Sequence, residues 1–147
     1  MNKYLSKKEY LEKYDSNVGY ALYVQNNIKR DDYARLNTGE IVRVIGIKEN
    51  KLNKKAIYYG VYEQDWFDSM AVENFSDKPI DLIEEGDYVN GYKVISADYD
   101  VIDDKTECIE LDLNNNYQYN FISARQIKTI LTKEQMASIE YKVEEDK

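Results

Sequence analysis

Mainly β structure with a minor share of helix, arranged as two small barrels in tandem, is what this 147-residue sequence predicts. Three observations carry that expectation. In the stretch 81–95, turns at Glu85-Gly86 and Asn90-Gly91 separate short β-prone runs, and Asn-Gly is the pair that best tolerates the positive φ of a two-residue hairpin turn. Several runs of four to eight residues alternate apolar with polar at a period of two, the pattern of a half-buried strand. Parts of the pattern around Gly86 also recur 47 residues upstream.

The elements follow in order. Ser6-Lys7-Lys8-Glu9 is a capping box, and Tyr10, Leu11 and Tyr14 then share one face, so 7–14 reads as a short amphipathic helix. Val18 to Val24 is a β-prone run ended by Asn26-Asn27. Asn37-Thr38-Gly39 turns the chain into Glu40–Ile47, which pairs as an antiparallel hairpin with Ala56–Glu63. Lys78 precedes Pro79 and is biased to extended backbone, so Ile80–Ile83 reads as entry to a strand. Tyr99–Ile102, Thr106–Leu113 and Tyr117–Phe121 follow as strands divided by turns at Asp103-Asp104-Lys105 and Asn114-Asn115-Asn116. Thr132-Lys133-Glu134-Gln135 is a second capping box opening a short helix to about Ser138, and Ile139–Val143 closes the chain as an alternating strand.

At an offset of 47, Gly39-Glu40-Ile41-Val42 matches Gly86-Asp87-Tyr88-Val89, Ser76 matches Ser123, Lys78 matches Arg125, Ile80 matches Ile127 and Ile83 matches Ile130. A duplicated unit of short strands with a one-turn link before the last strand suits a small SH3-like or Tudor-like barrel, which closes its own sheet edges. The expected organisation is 1–35, a helix and strand packed on the first barrel; 36–83, the first SH3-like unit; and 84–147, the second.

Composition narrows function. There is no histidine, which removes the commonest general base, the usual zinc ligands and every Ser-His or Cys-His nucleophile. No nucleophile elbow or phosphate loop is present, so the expectation is a protein that is not an enzyme and needs no cofactor. Cys108 is the only cysteine and sits in an alternating run beside Glu107 and Glu110, the setting of an inert buried thiol. No apolar run spans a bilayer and no signal-peptide core follows Met1, so the expected location is the cytoplasm, without a membrane partner.

The net charge of −8 is unevenly spread. Residues 1–55 carry 12 Lys/Arg and 7 Asp/Glu, residues 56–112 carry 3 and 16, and residues 113–147 carry 5 of each. So acidic a middle repels phosphate, which argues against direct nucleic-acid binding and for a partner protein with a basic, nucleic-acid-binding surface. The candidate partner-binding residues are Glu63, Asp65, Trp66, Asp68, Glu73, Asp77, Glu84, Glu85, Asp87, Asp98, Asp100, Asp103 and Asp104. On one reading these carboxylates imitate a line of phosphates; on the other they are a solvated surface that keeps the protein soluble. Tyr58, Tyr59, Tyr62, Trp66 and Phe67 suggest an aromatic groove for a peptide, with alternation placing Tyr58 and Tyr62 on one face and Tyr59 on the other. Asp98, Asp100, Asp103 and Asp104 lack the glycine and terminal glutamate of a calcium loop, so no metal is expected. The basic first third could meet the acidic middle of another copy, giving a homodimer.

The blocks Leu82-Ile83-Glu84-Glu85-Gly86-Asp87-Tyr88-Val89-Asn90-Gly91-Tyr92-Lys93-Val94 and Ile127-Lys128-Thr129-Ile130-Leu131-Thr132-Lys133-Glu134-Gln135 resemble small proteins of unassigned function encoded by phages and prophages of low-GC Gram-positive bacteria. The likeness covers roughly 79–143; the N-terminal half departs from it. It implies a phage context and supplies no catalytic residue. Some small acidic phage proteins inhibit host defence systems such as CRISPR nucleases, so the resemblance implies an anti-CRISPR-like inhibitor.

Overall fold

The computed structural model describes residues 2–49, 55–59, 65–97, 108–113 and 121–139. Within them the fold is mixed: three α-helices and eleven short strands in three small antiparallel sheets. This corrects the expected mainly β architecture of closed barrels. The chain divides into two compact units, Met1–Leu82 and Ile83–Lys147.

The first unit opens with α1, Lys7–Tyr14, whose capping box closes as the sequence dictates: the Ser6 hydroxyl accepts from the Glu9 N–H and the Glu9 carboxylate accepts from the Ser6 N–H. The run expected as a strand at Val18–Val24 is instead the middle of a second helix, α2, Asn17–Asn27, capped by the Ser16 side chain on the Gly19 N–H. A short apolar run does not itself separate a buried helix from a strand. Here burial follows the helical period, with Tyr20, Ala21 and Val24 inward and Val18 and Leu22 outward.

Strands β1, Tyr33–Leu36, β2, Ile41–Arg43, and β6, Val72–Ser76, form one sheet in the order β2-β1-β6. Strands β3, Gly46–Glu49, β4, Lys55–Tyr58, and β5, Trp66–Phe67, form a second in sequence order. The expected Glu40–Ile47 strand is thus broken after Arg43, its first half pairing with β1 and its second with β4. A 3-10 turn, Ser69–Ala71, precedes the last strand β6.

Tyrosines fill the space between helices and sheet. Tyr4 stacks on Phe75 at 4.3 Å between centroids, Phe75 meets Tyr23 at 5.8 Å, and Tyr10 touches Tyr20 and Tyr23 at 5.5 Å each. Such pairs contribute about 0.5–1.5 kcal/mol beyond area burial. The Tyr20 hydroxyl donates to the Leu5 carbonyl, and the Tyr23 hydroxyl accepts from the Leu5 N–H. The segment before α1 is therefore pinned by two phenols that belong to α2.

Burial pushes the Tyr20 phenol well above its ordinary value of 10.0, and burial first, then Asp32, raises Tyr4. A group that holds its proton more tightly when folded stabilises the fold fully below its unfolded pKa and loses that contribution as pH rises toward the folded value. The urea midpoint should therefore hold steady from neutral pH to about 9 and fall above about 10, where unfolded tyrosines ionise. Tyr20→Phe should be weaker at neutral pH by about 1 kcal/mol, for its lost hydrogen bond, and show a shallower alkaline decline. A wild-type midpoint unchanged between pH 8 and 11 would refute the assignment.

Arg35 is the largest fully buried side chain among the described residues. Its guanidinium donates to the Leu82 carbonyl at 2.9 Å, fastening β1 to the 3-10 turn Pro79–Leu82. That turn replaces the strand entry expected there. Pro79 suits its first position, where an N–H has no partner to lose.

In the second unit, strands β7, Tyr88–Val89, β8, Tyr92–Ser96, β9, Cys108–Leu111, β10, Phe121–Ser123, and β11, Ile130–Leu131, run in the order β10-β9-β8-β7-β11. Asn90 and Gly91 take φ of 52° and 85°, the expected hairpin turn. Asn90 does more than turn: its side chain accepts from the Lys128 and Thr129 N–H groups and donates to the Gln126 carbonyl, clamping the β11 segment beside β7. The helix α3, Lys133–Ile139, starts at the Thr132/Gln135 box. It includes Ile139, where a strand was expected; 140–143 lie outside the described residues, as do 99–102 and 117–120. Cys108 is buried, in keeping with an inert thiol.

The units share an order of connection. In each, the first strand (β1, β7) pairs with its hairpin neighbour and with the last strand (β6, β11). A 3-10 turn stands in each between later strands: Ser69–Ala71 in one and Ala124–Gln126 in the other, an offset of 55. The offset of 47 seen in the sequence instead sets β2 against β7, which hold different places in their sheets. Gly39 and Gly86, matched at that offset, both adopt positive φ before a strand.

Candidate aromatic and acidic binding surface

The β3–β5 sheet has one face in the core and one outside. Register pairs Gly46 with Tyr58 and Tyr58 with Trp66, while Ile47, Ile57 and Phe67 form the next row. Ile57 and Phe67 are buried, Ile47 and Tyr59 pack on the same core, and Phe67 lies 6.0 Å from Tyr59. The outer row is Gly46, Tyr58 and Trp66. Trp66 is 51% exposed. The expected groove therefore splits: Tyr59 and Phe67 are structural, Tyr58 and Trp66 face outward, and Tyr62 lies outside the described residues.

Two residues of this face carried no earlier expectation. Lys48, in the same parity as Gly46, holds its ammonium 5.2 Å from the Tyr58 ring centroid, a cation–π contact within the chain. Gly46 leaves open space where a Cβ would stand, a notch at the edge beside Tyr58. The hairpin was legible in the sequence, but its register was not, and register decides which aromatics point out.

Among the acids, Asp65 is half-buried beside Trp66 and Asp68 is exposed. Asp68 caps the 3-10 turn through one carboxylate oxygen, accepting from the Met70 N–H at 3.0 Å. Burial, then Glu40 and Asp65, raises the Tyr59 phenol above its usual value, a sign of the negative field at this end of the sheet.

The rest of the expected belt does not present as a free row. Glu73 pairs with Lys7 at 3.8 Å and Asp77 with Lys3 at 3.6 Å. Glu84 pairs with Lys133 at 2.8 Å, and that hydrogen bond raises the Lys133 pKa. Glu85 is exposed. Asp87 is fully buried and accepts from the Glu84 and Lys133 N–H groups at 2.7 and 2.9 Å, so it is part of the fold and not of an outer belt. Glu63, Asp98, Asp100, Asp103 and Asp104 lie outside the described residues. Among those described, no group of three acidic, cysteine or histidine residues is placed to hold a metal ion, and no helix is long and apolar enough to cross a membrane.

Comparison of the chain with protein-family models, with curated proteins and with solved structures finds no match.

Proposed function

We propose that the protein is a binding module, acting by association and not by catalysis, whose recognition surface is the outer face of β3–β5. Its ligand is a positively charged segment of another protein. The observation that carries this is Trp66, half exposed on a sheet whose opposite face is core and set across the strand from Tyr58, a ring that already accepts the Lys48 ammonium. A partner's lysine or arginine over Trp66 would repeat that contact, with Asp65 and Asp68 supplying negative charge. Each unit is read as SH3-like. The strand order, the 3-10 turn and the return of the last strand to the first support that reading.

The test uses Trp66 as reporter, since it is the only tryptophan. Titration with an arginine-rich peptide should quench its fluorescence saturably. Asp68→Asn should weaken binding several-fold, and Gly46→Leu should block it without unfolding, because the site has room for a side chain. Against a natural partner, Trp66→Ala should cost about 2 kcal/mol or more, roughly 30-fold in affinity. Equal binding by all variants would sink the proposal.

A wider reading remains attached to this surface: a phage-encoded, anti-CRISPR-like inhibitor whose acids occupy the nucleic-acid-binding surface of a host defence protein in the cytoplasm. The acid excess of 56–112 and the exposed Asp68 and Glu85 favour it; the lysine pairing of Glu73, Asp77 and Glu84 works against it. Masking of this kind should fade steeply with salt, whereas an aromatic contact should outlast 0.5 M NaCl.

A further inference from the structure

None of the eleven residues of α2 is charged. Tyr20, Ala21 and Val24 face the core, and the outward row is Val18, Leu22 and Asn26, with Val18 65% and Leu22 53% exposed. A helix with one face in water ordinarily carries its charges there. An uncharged, partly apolar outer row marks a face that something covers.

We propose that a second copy of the chain covers it, α2 packing antiparallel on α2 about a twofold axis at Leu22. The charges that flank the helix select this occupant. Asp15 precedes α2 and Lys29 follows it, seven residues to either side of Leu22, and both are exposed. Neither side chain forms an ion pair among the described residues. In an antiparallel pair with Leu22 on the axis, Asp15 of each copy meets Lys29 of the other, and symmetry makes the contact twice. A parallel pair would set like charge against like and align the two helix dipoles unfavourably.

The net charge of −8 opposes contact between two copies over most of the surface. α2 itself brings no charge to the contact. One helix face is smaller than the roughly 1,200 Å² of a stable interface, so the dimer is weak and concentration-dependent.

Sedimentation velocity of the full chain at low salt, over a wide concentration range, tests this. The mean mass should rise from one chain toward two. Leu22→Lys should remain a monomer throughout, with an unchanged far-UV circular dichroism spectrum because the position is exposed. Lys29→Asp, which sets Asp15 against a new carboxylate, should weaken dimerisation about tenfold. Adding Asp15→Asn, which tolerates the left-handed backbone at that position, should recover part of the loss. A wild-type chain that stays monomeric, a Leu22→Lys chain that dimerises as wild type does, or a Lys29→Asp defect that Asp15→Asn leaves untouched would each overturn the proposal.

Discussion

Arg35→Ala should lower the stability of the first unit by about 3–5 kcal/mol, the cost of emptying a large buried site and orphaning a buried hydrogen-bond acceptor. Arg35 is 1% exposed in the middle strand of its sheet, and its guanidinium holds the Leu82 carbonyl at the end of the unit. Small domains have about 5–15 kcal/mol of stability in all, so this variant sits near the edge of folding. Arg35→Lys keeps the charge but not the planar fork, and should fall between wild type and Arg35→Ala. Urea unfolding followed by Trp66 fluorescence reads the effect in the unit that contains Arg35. Arg35→Ala within 1 kcal/mol of wild type would show that the buried guanidinium is not a tie.

Nothing in the sequence singled out Arg35. The chain reads Tyr33-Ala34-Arg35-Leu36, and an arginine flanked by apolar residues is expected to point outward on an alternating strand. Its burial depends on a carbonyl 47 positions away, a contact of tertiary origin. Local chemistry was more legible. The Ser6 and Thr132 boxes and the Asn90-Gly91 turn are closed by residues at most three apart, and they form as read. Val18–Val24 marks the limit of that legibility, since seven apolar and small residues hold no charge to betray which period they follow. Ser16, three residues before Gly19, was the available helix signal.

The aromatic surface was half legible for a related reason. Alternation correctly separated Tyr58 from Tyr59, because it needs only the strand. Placing Gly46 and Lys48 beside Tyr58 needs the hairpin register, which the link between β3 and β4 does not encode in any short pattern. Charge was the least legible property. A count of acids over 56–112 cannot distinguish Asp68, exposed on a turn, from Glu73 and Asp77, which lysines near the N-terminus partly neutralise. Exposed pairs of this kind contribute only about 0–1 kcal/mol to stability. Their effect here is on the field that an approaching partner meets.

Asp87 makes the same point with a large expected cost. Asp87→Ala should destabilise the second unit by about 2–4 kcal/mol, because it empties a buried carboxylate site and leaves two part-buried N–H donors without their acceptor at once. One is the Glu84 N–H of the turn before β7; the other is the Lys133 N–H in the first turn of α3, a donor that no helix satisfies internally. One carboxylate thus joins the start of the second unit's sheet to its helix. Asp87→Asn retains a single acceptor oxygen and turns an NH2 toward one of the donors, so it should recover only part of the loss. Hydrogen exchange at the Glu84 and Lys133 amides, measured beside thermal unfolding, should show both protected in wild type and both faster in Asp87→Asn. The converse matters for function. If Asp87 belonged to an exterior line of charge, Asp87→Asn would weaken a partner while leaving those amides as slow as before. The buried geometry makes the opposite outcome the expected one, with the exposed Glu85→Gln as the control that alters charge without touching the fold.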